Sequence, residues 1–260
     1  MGRTVGLYLL FVCLMLLHPA YASAFMADED IARYQTLTRA WSTGDRIAFW
    51  AEQFVGTPYD PDPLGCYVRE NAVVSDDKVD CMYLTFRAVE LALAKDPEEA
   101  REIALEKRFK GSGLVQEGKV QNYTDRFEYG EDMIDSGKWG REITAEFGKT
   151  VQIQGSRWHN SLLVLSAGAA AKNAGRLQNG DIIFFVRNPA KRISDEIVGH
   201  LGIIKKEANK TYLIHASGLK NKGGKVKKTL LADYLRIMPF IGIRVSRFDP
   251  EPTVPDTVPE

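Results

Sequence analysis

The sequence predicts an α+β fold in which N-terminal helices pack on an antiparallel β-sheet or small barrel. Three observations lead there. Apolar residues recur at helical spacing through the first part of the chain, and short β-rich segments bounded by turn residues fill the last third. Strands do not alternate with helices as they would in a parallel sheet. The length of 260 residues suits one domain with a sizeable core, or one domain with appendages.

Residues 30–41 set Ile31, Tyr34, Leu37 and Trp41 on one stripe, and residues 45–55 repeat the spacing with Ile47, Trp50 and Phe54, so two amphipathic helices are expected. Gly56-Thr57-Pro58-Tyr59 ends the second, a Pro/Asp loop covers 60–65, and a short strand is expected near 72–74. Residues 81–94 give the clearest helix, with Leu84, Val89, Leu91 and Leu93 inward, and Asp96-Pro97 starts another that runs to Arg108. The stretch 110–160 is rich in glycine and polar residues, with aromatics at Tyr123, Phe127, Tyr129 and Trp139. It suits an insertion that lines a cleft, and equally suits surface loops. Strands are expected over 182–186, 200–205, 211–216 and 242–248, with a turn at Asn209-Lys210 and a helix over 230–236. Residues 249–260 hold four prolines and several acids and are expected to be a disordered tail.

Arg3, the apolar run from Val5 to Leu17, and the small residues of Ala20-Tyr21-Ala22-Ser23-Ala24 have the form of a cleaved signal peptide over 1–24. The run is short for a membrane span, so the expected product is a periplasmic or secreted chain without stable membrane insertion. Its catalytic domain would cover 25–248. Lys+Arg and Asp+Glu both number 34. That balance lacks the basic excess of a nucleic-acid binder and points to a modest-sized or neutral polymeric substrate. Signal removal takes Cys13 and His18, leaving Cys66, Cys81, His159, His200 and His215. In an oxidising compartment the two cysteines could form a disulfide.

Asp80-Cys81 falls where a loop becomes a helix. A thiol there meets unpaired backbone N–H groups and the positive helix end, which favour the thiolate and lower its pKa. The Cys81 N–H could also receive a developing oxyanion. His200 and His215 fall on consecutive predicted strands, where His200 could act as base and acid while His215 fixes its ring through the other nitrogen.

Gly56-Thr57-Pro58-Tyr59, Val79-Asp80-Cys81, Asn179-Gly180-Asp181-Ile182-Ile183, Gly199-His200-Leu201-Gly202-Ile203 and Leu213-Ile214-His215-Ala216 follow, in order, the pattern of NlpC-type cysteine amidases and peptidases of bacterial cell walls. The chain most resembles the N-acetylmuramoyl-L-alanine amidase-like branch, with its Arg-x-x-Tyr element at Arg126 to Tyr129 and closing Gly-Ile-Arg-Val strand at Gly242 to Val245. The elements cover most of 45–248. The resemblance implies a papain-like core, a triad of Cys81, His200 and His215, and Tyr59 beside the thiol at the oxyanion or substrate. It implies peptidoglycan or muropeptides as substrate, cut at the lactyl–L-alanine amide or at the γ-D-Glu–diamino-acid bond. Glu128 stands where this element is expected to carry histidine, and an acid there could repel a carboxylate-bearing peptide.

Each residue has a plainer reading. Cys81 could be disulfide-bonded or inert, and Cys66 is expected to be a spectator. Asp80 is expected to cap the helix rather than touch substrate. Arg126 could bind a carboxylate or sugar, or be solvated. The lysines over 220–228 are expected to form a solvated hairpin, and His159 a surface residue without a partner. Zinc on His200, His215, Cys81 and Asp80 would also serve amide cleavage, but no His-x-x-x-His or Cys-x-x-Cys spacing is present, so no metal or cofactor is expected. The alternative outside enzymes is a catalytically silent wall-binding module.

Overall fold

The computed structural model describes residues 26–249 other than 156, 158, 193 and 194. The expected signal peptide and nearly all of the expected tail lie outside the described residues. Two amphipathic helices open the chain, α1 (Asp28–Thr38) and α2 (Thr43–Gln53), the second capped by Ser42, whose hydroxyl accepts the Asp45 N–H. A one-turn α3 (Cys66–Arg69) precedes the central helix α4 (Cys81–Leu93). Residues 83–92 of α4 are all buried, so this helix is enclosed rather than amphipathic. Asp96 caps α5 (Pro97–Lys107), with Pro97 in its first turn.

The middle of the chain is more structured than its composition suggests. It holds a small hairpin of β1 (Val115–Gln116) and β2 (Lys119–Val120), then α6 (Gly130–Asp135), β3 (Arg141–Glu142) and β4 (Val151–Gln154). After it come β5 (Ser161–Ser166), α7 (Ala167–Asn173), β6 (Ile182–Val186), β7 (Val198–Glu207), β8 (Lys210–Leu219), β9 (Gly223–Leu230), α8 (Leu231–Ile237) and β10 (Gly242–Arg247). The main sheet is antiparallel in the order β4-β5-β10-β6-β7-β8-β9, with β3 also paired to β10.

β6 explains the layering. Its sequence Ile-Ile-Phe-Phe-Val is buried throughout, because alternate residues enter different cores. Ile182 and Phe184 join the larger core with Trp50, Leu84 and Leu91 of α2 and α4. Ile183 and Phe185 join a second core with Leu231 and Leu235 of α8 and Ala170 of α7. Helices therefore cover both faces of the sheet, and the expected α+β class holds. The strand expected near 72–74 does not form. Those residues are a loop whose Val73 carbonyl accepts from Arg108. The turn expected at Asn209-Lys210 lies one residue earlier, with Ala208 at φ 47° and Lys210 already in β8.

Candidate active site

Cys81 is the first residue of α4. The Asp80 carboxylate accepts the Tyr83 N–H at 2.8 Å and so caps the helix as expected. The loop carrying Tyr59 is laced to the same segment: Val79 N–H donates to the Pro58 carbonyl at 3.0 Å, and Asp60 N–H to the Val79 carbonyl at 3.1 Å. Behind the helix, Arg87 forks onto Asp76 at 2.9 and 3.0 Å, which fixes the loop that feeds Cys81. Both cysteines are free thiols, so the disulfide is not formed. Cys66 instead donates to Asp60 Oδ1 at 3.1 Å, and burial and that carboxylate push its pKa up to about 11.

β7 and β8 pair from Ile203↔Ile214 to Glu207↔Lys210. His200 and His215 lie beyond that ladder, and their rings meet edge to face with His200 Nε2 2.8 Å from His215 Nδ1. The backbone N–H of Leu201, next to His200, acts on the Cys81 sulfur in the direction that favours the thiolate. Among the described residues no hydrogen bond joins that sulfur to a histidine ring, although Cys81 and His200 line one cleft of about 580 Å³. His215 sits behind His200, 4 % exposed, against Tyr234 of α8 at 4.8 Å between ring centroids. Phe185 and Phe240 stack on the His200 ring at 5.8 and 6.4 Å.

Tyr59, Asp80 and Arg126 line the same cleft. Tyr59 packs so closely on Gly218 of β8 that a Cβ there would fall 2.2 Å from its ring, which is why a glycine occupies that position. Arg126 is not solvated: it is bound to Glu128 at 3.0 Å and to the Tyr123 carbonyl at 2.7 Å. The lysine run is likewise engaged. Lys220 reaches Asp80 Oδ2 at 2.9 Å and the Asp62 carbonyl at 2.8 Å, and Lys228 pairs with Glu52 and Glu207. His159, expected on the surface without a partner, lies 3.1 Å from Asp135 and 3.4 Å from Asp132. Lys220, Tyr234, Phe240 and the pair Arg187–Glu196 were not legible as cleft or site neighbours. Their sequence surroundings are ordinary, and only the tertiary fold brings them here.

The electrostatics reverse one expectation. Burial, and then the Asp80 charge, push the Cys81 thiol upward, against the smaller opposing pull of the Leu201 N–H and Lys220. Partial removal from water and the Asp80 charge thus favour the thiol over the thiolate. Burial also pushes His200 down to about 3, helped by His215 and Arg187, and His215 down to about 4. Both rings are therefore neutral at pH 7. Tyr59 keeps its proton, its pKa raised by burial and by the neighbouring sulfur. Among the described residues, no group of three or more His, Cys, Asp or Glu side chains is arranged to hold a metal ion.

No family model and no curated protein matches the chain. Solved structures do. A Legionella pneumophila protein of the DUF1460 family superposes with a TM-score of 0.64 at 19% identity, covering 86% of this chain and 95% of that one. An N-acetylmuramoyl-L-alanine amidase from Bacteroides uniformis gives 0.60 at 22%, covering 79% and 98%. A Bacteroides fragilis protein named as a candidate xylanase gives 0.59 at 21%, covering 77% and 100%. These likenesses establish a shared fold, and their differing names show that the fold alone does not assign chemistry.

Proposed function

We propose that this chain is an exported cysteine amidase of the bacterial cell wall, with an NlpC-type, papain-like core. It would cleave the N-acetylmuramoyl-L-alanine amide of peptidoglycan or muropeptides. The observation that carries the reading is a thiol at a helix N-terminus sharing a cleft with an imidazole whose far nitrogen is held at 2.8 Å by a second, buried imidazole. The name of the Bacteroides uniformis neighbour supports the choice of bond. The γ-D-Glu–diamino-acid bond is the alternative within the same chemistry.

In this mechanism the ring nitrogen of His200 not bonded to His215 takes the Cys81 proton as sulfur attacks the carbonyl carbon, and His215 keeps the base in one tautomer and orientation. The neutral resting pair makes this general-base attack rather than release of a preformed ion pair. Asp80 is occupied by the Tyr83 N–H, so the Cys81 N–H and the protonated Tyr59 hydroxyl serve the oxyanion. His200 then protonates the leaving amine and activates the water that hydrolyses the thioester. No step calls on a cofactor. The test is mass spectrometry of products from defined muropeptides. The wild type should release a peptide with a free L-alanine amine, Cys81→Ala should not, and iodoacetamide rather than a chelator should stop the reaction. Binding without turnover, identical in wild type and Cys81→Ala, would leave only a wall-binding module.

A further inference from the structure

Three cations line the cleft, and they differ in how fully their donors are used. Lys220 donates to Asp80 and to the carbonyls of Asp60 and Asp62, which saturates its three hydrogens. Arg126 holds Glu128 and the Tyr123 carbonyl. Arg187 makes one contact of 3.2 Å, from Nη2 to Glu196, and its buried Nε has no acceptor. A guanidinium has five donors in a planar fork suited to a carboxylate, and with Nε buried and Nη2 on one long bond, Arg187 keeps its Nη1 group unengaged among the described residues.

Its placement is built into the sheet. Arg187 follows β6, where its N–H donates to the Ile197 carbonyl at 2.8 Å. The register between β6 and β7 shifts at Phe185/Val186, where Phe185 faces His200 and Val186 faces Val198, and Gly199 is the extra residue. Because Gly199 has no side chain, the guanidinium lies directly on the backbone; a Cβ there would fall 2.3 Å from Nε and 2.6 Å from Cζ. The cation therefore rests beside the residue that precedes His200, on the side of the group that protonates the leaving amine. Glu196 is a weak occupant. It makes a single long bond, and burial holds its carboxyl above the usual range, so an incoming carboxylate can displace it.

We infer that Arg187 is a carboxylate-binding subsite on the leaving-group side of the cleft, selecting amides whose departing amine belongs to an acidic peptide. This rests on the amidase reading, in which the departing L-alanine is followed by a γ-linked D-glutamate with a free α-carboxylate. The experiment compares binding of L-Ala-γ-D-Glu and of its α-carboxamide by titration calorimetry, in wild type and in Arg187→Met, alongside cleavage of the corresponding muramoyl peptides. Wild type should favour the acid by about tenfold or more, as for hydrogen bonds to a charged group. Arg187→Met should bring the ratio close to one, and Arg187→Lys should restore part of it. The ratio is taken within each protein, so the folded fraction does not affect it. An unchanged ratio in Arg187→Met, or no preference in wild type, overturns the subsite. Cleavage without acid preference removes the subsite and keeps the amidase. Acid-selective binding lost in Arg187→Met, without any cleavage, keeps the subsite and removes the amidase.

Discussion

At the residue scale the deciding quantity is the protonation of one sulfur. Position at a helix N-terminus favours the thiolate, while burial and the adjacent Asp80 push the group towards the thiol. The sign is testable. A thiol pushed upward ionises only as pH rises, so alkylation of Cys81 by iodoacetamide in a Cys66→Ser background should be slow at pH 7 and accelerate into the alkaline range. A rate constant level from pH 5 to 9 would mean a preformed thiolate–imidazolium pair instead. The sequence pointed to Cys81, His200, His215, Tyr59, Asp80 and Arg126, and five of them line the cleft while His215 backs it. It could not reveal that the sulfur is half-buried beside Asp80 on a cleft wall, because burial belongs to the packing and not to the neighbours in sequence.

At the element scale α4 is the device that presents Cys81, and it does so as a buried helix with two charges on it. Arg87 is paired with the half-buried Asp76 and, at 3.4 Å, with Glu90, and Glu90 with Arg108 at 2.6 and 2.7 Å; Arg87, Glu90 and Arg108 are buried. Arg108→Met should remove both short bonds to the buried Glu90, leaving it only Arg87 at 3.4 Å, and cost about 3–5 kcal/mol in urea unfolding. The double change Arg108→Met with Glu90→Leu should recover much of that loss. If the single and double variants are equally stable, the pair does not anchor the helix. Elements with a strong period were legible. Helices at 28–38, 43–53, 81–93 and 97–107 and strands at 182–186 and 242–247 fell close to expectation. β9 was not, since Gly-Gly-Lys-Val-Lys-Lys-Thr-Leu is mostly hydrophilic and is a strand through its pairing with β8. β4, β5, α6 and α7 were hidden for a similar reason: they are short and take their stability from tertiary contacts.

At the scale of the whole molecule, helices on both sides of one antiparallel sheet create the site. One layer supplies the thiol, the sheet supplies the two rings, and α8 on the other face packs against the second ring. Burying two neutral histidines couples stability to pH. Both titrate below their ordinary value of 6.5 in the folded protein, at about 3 and about 4, so the unfolded chain binds more protons in that interval. Stability should therefore be full above pH 6.5 and fall as the pH drops towards 4, by at most about 1.4 kcal/mol per pH unit for each ring. Thermal melts of wild type and a His200→Asn/His215→Asn variant should converge over this range, and parallel curves would show that the rings do not contribute. The central claim, amide cleavage through a Cys81 thioester, is tested most directly by rapid-quench intact-protein mass spectrometry with a muramoyl-L-alanyl peptide. The predicted result is a transient N-acetylmuramoyl adduct that maps to Cys81 and is absent from Cys81→Ala. Undiminished turnover in Cys81→Ala would contradict it.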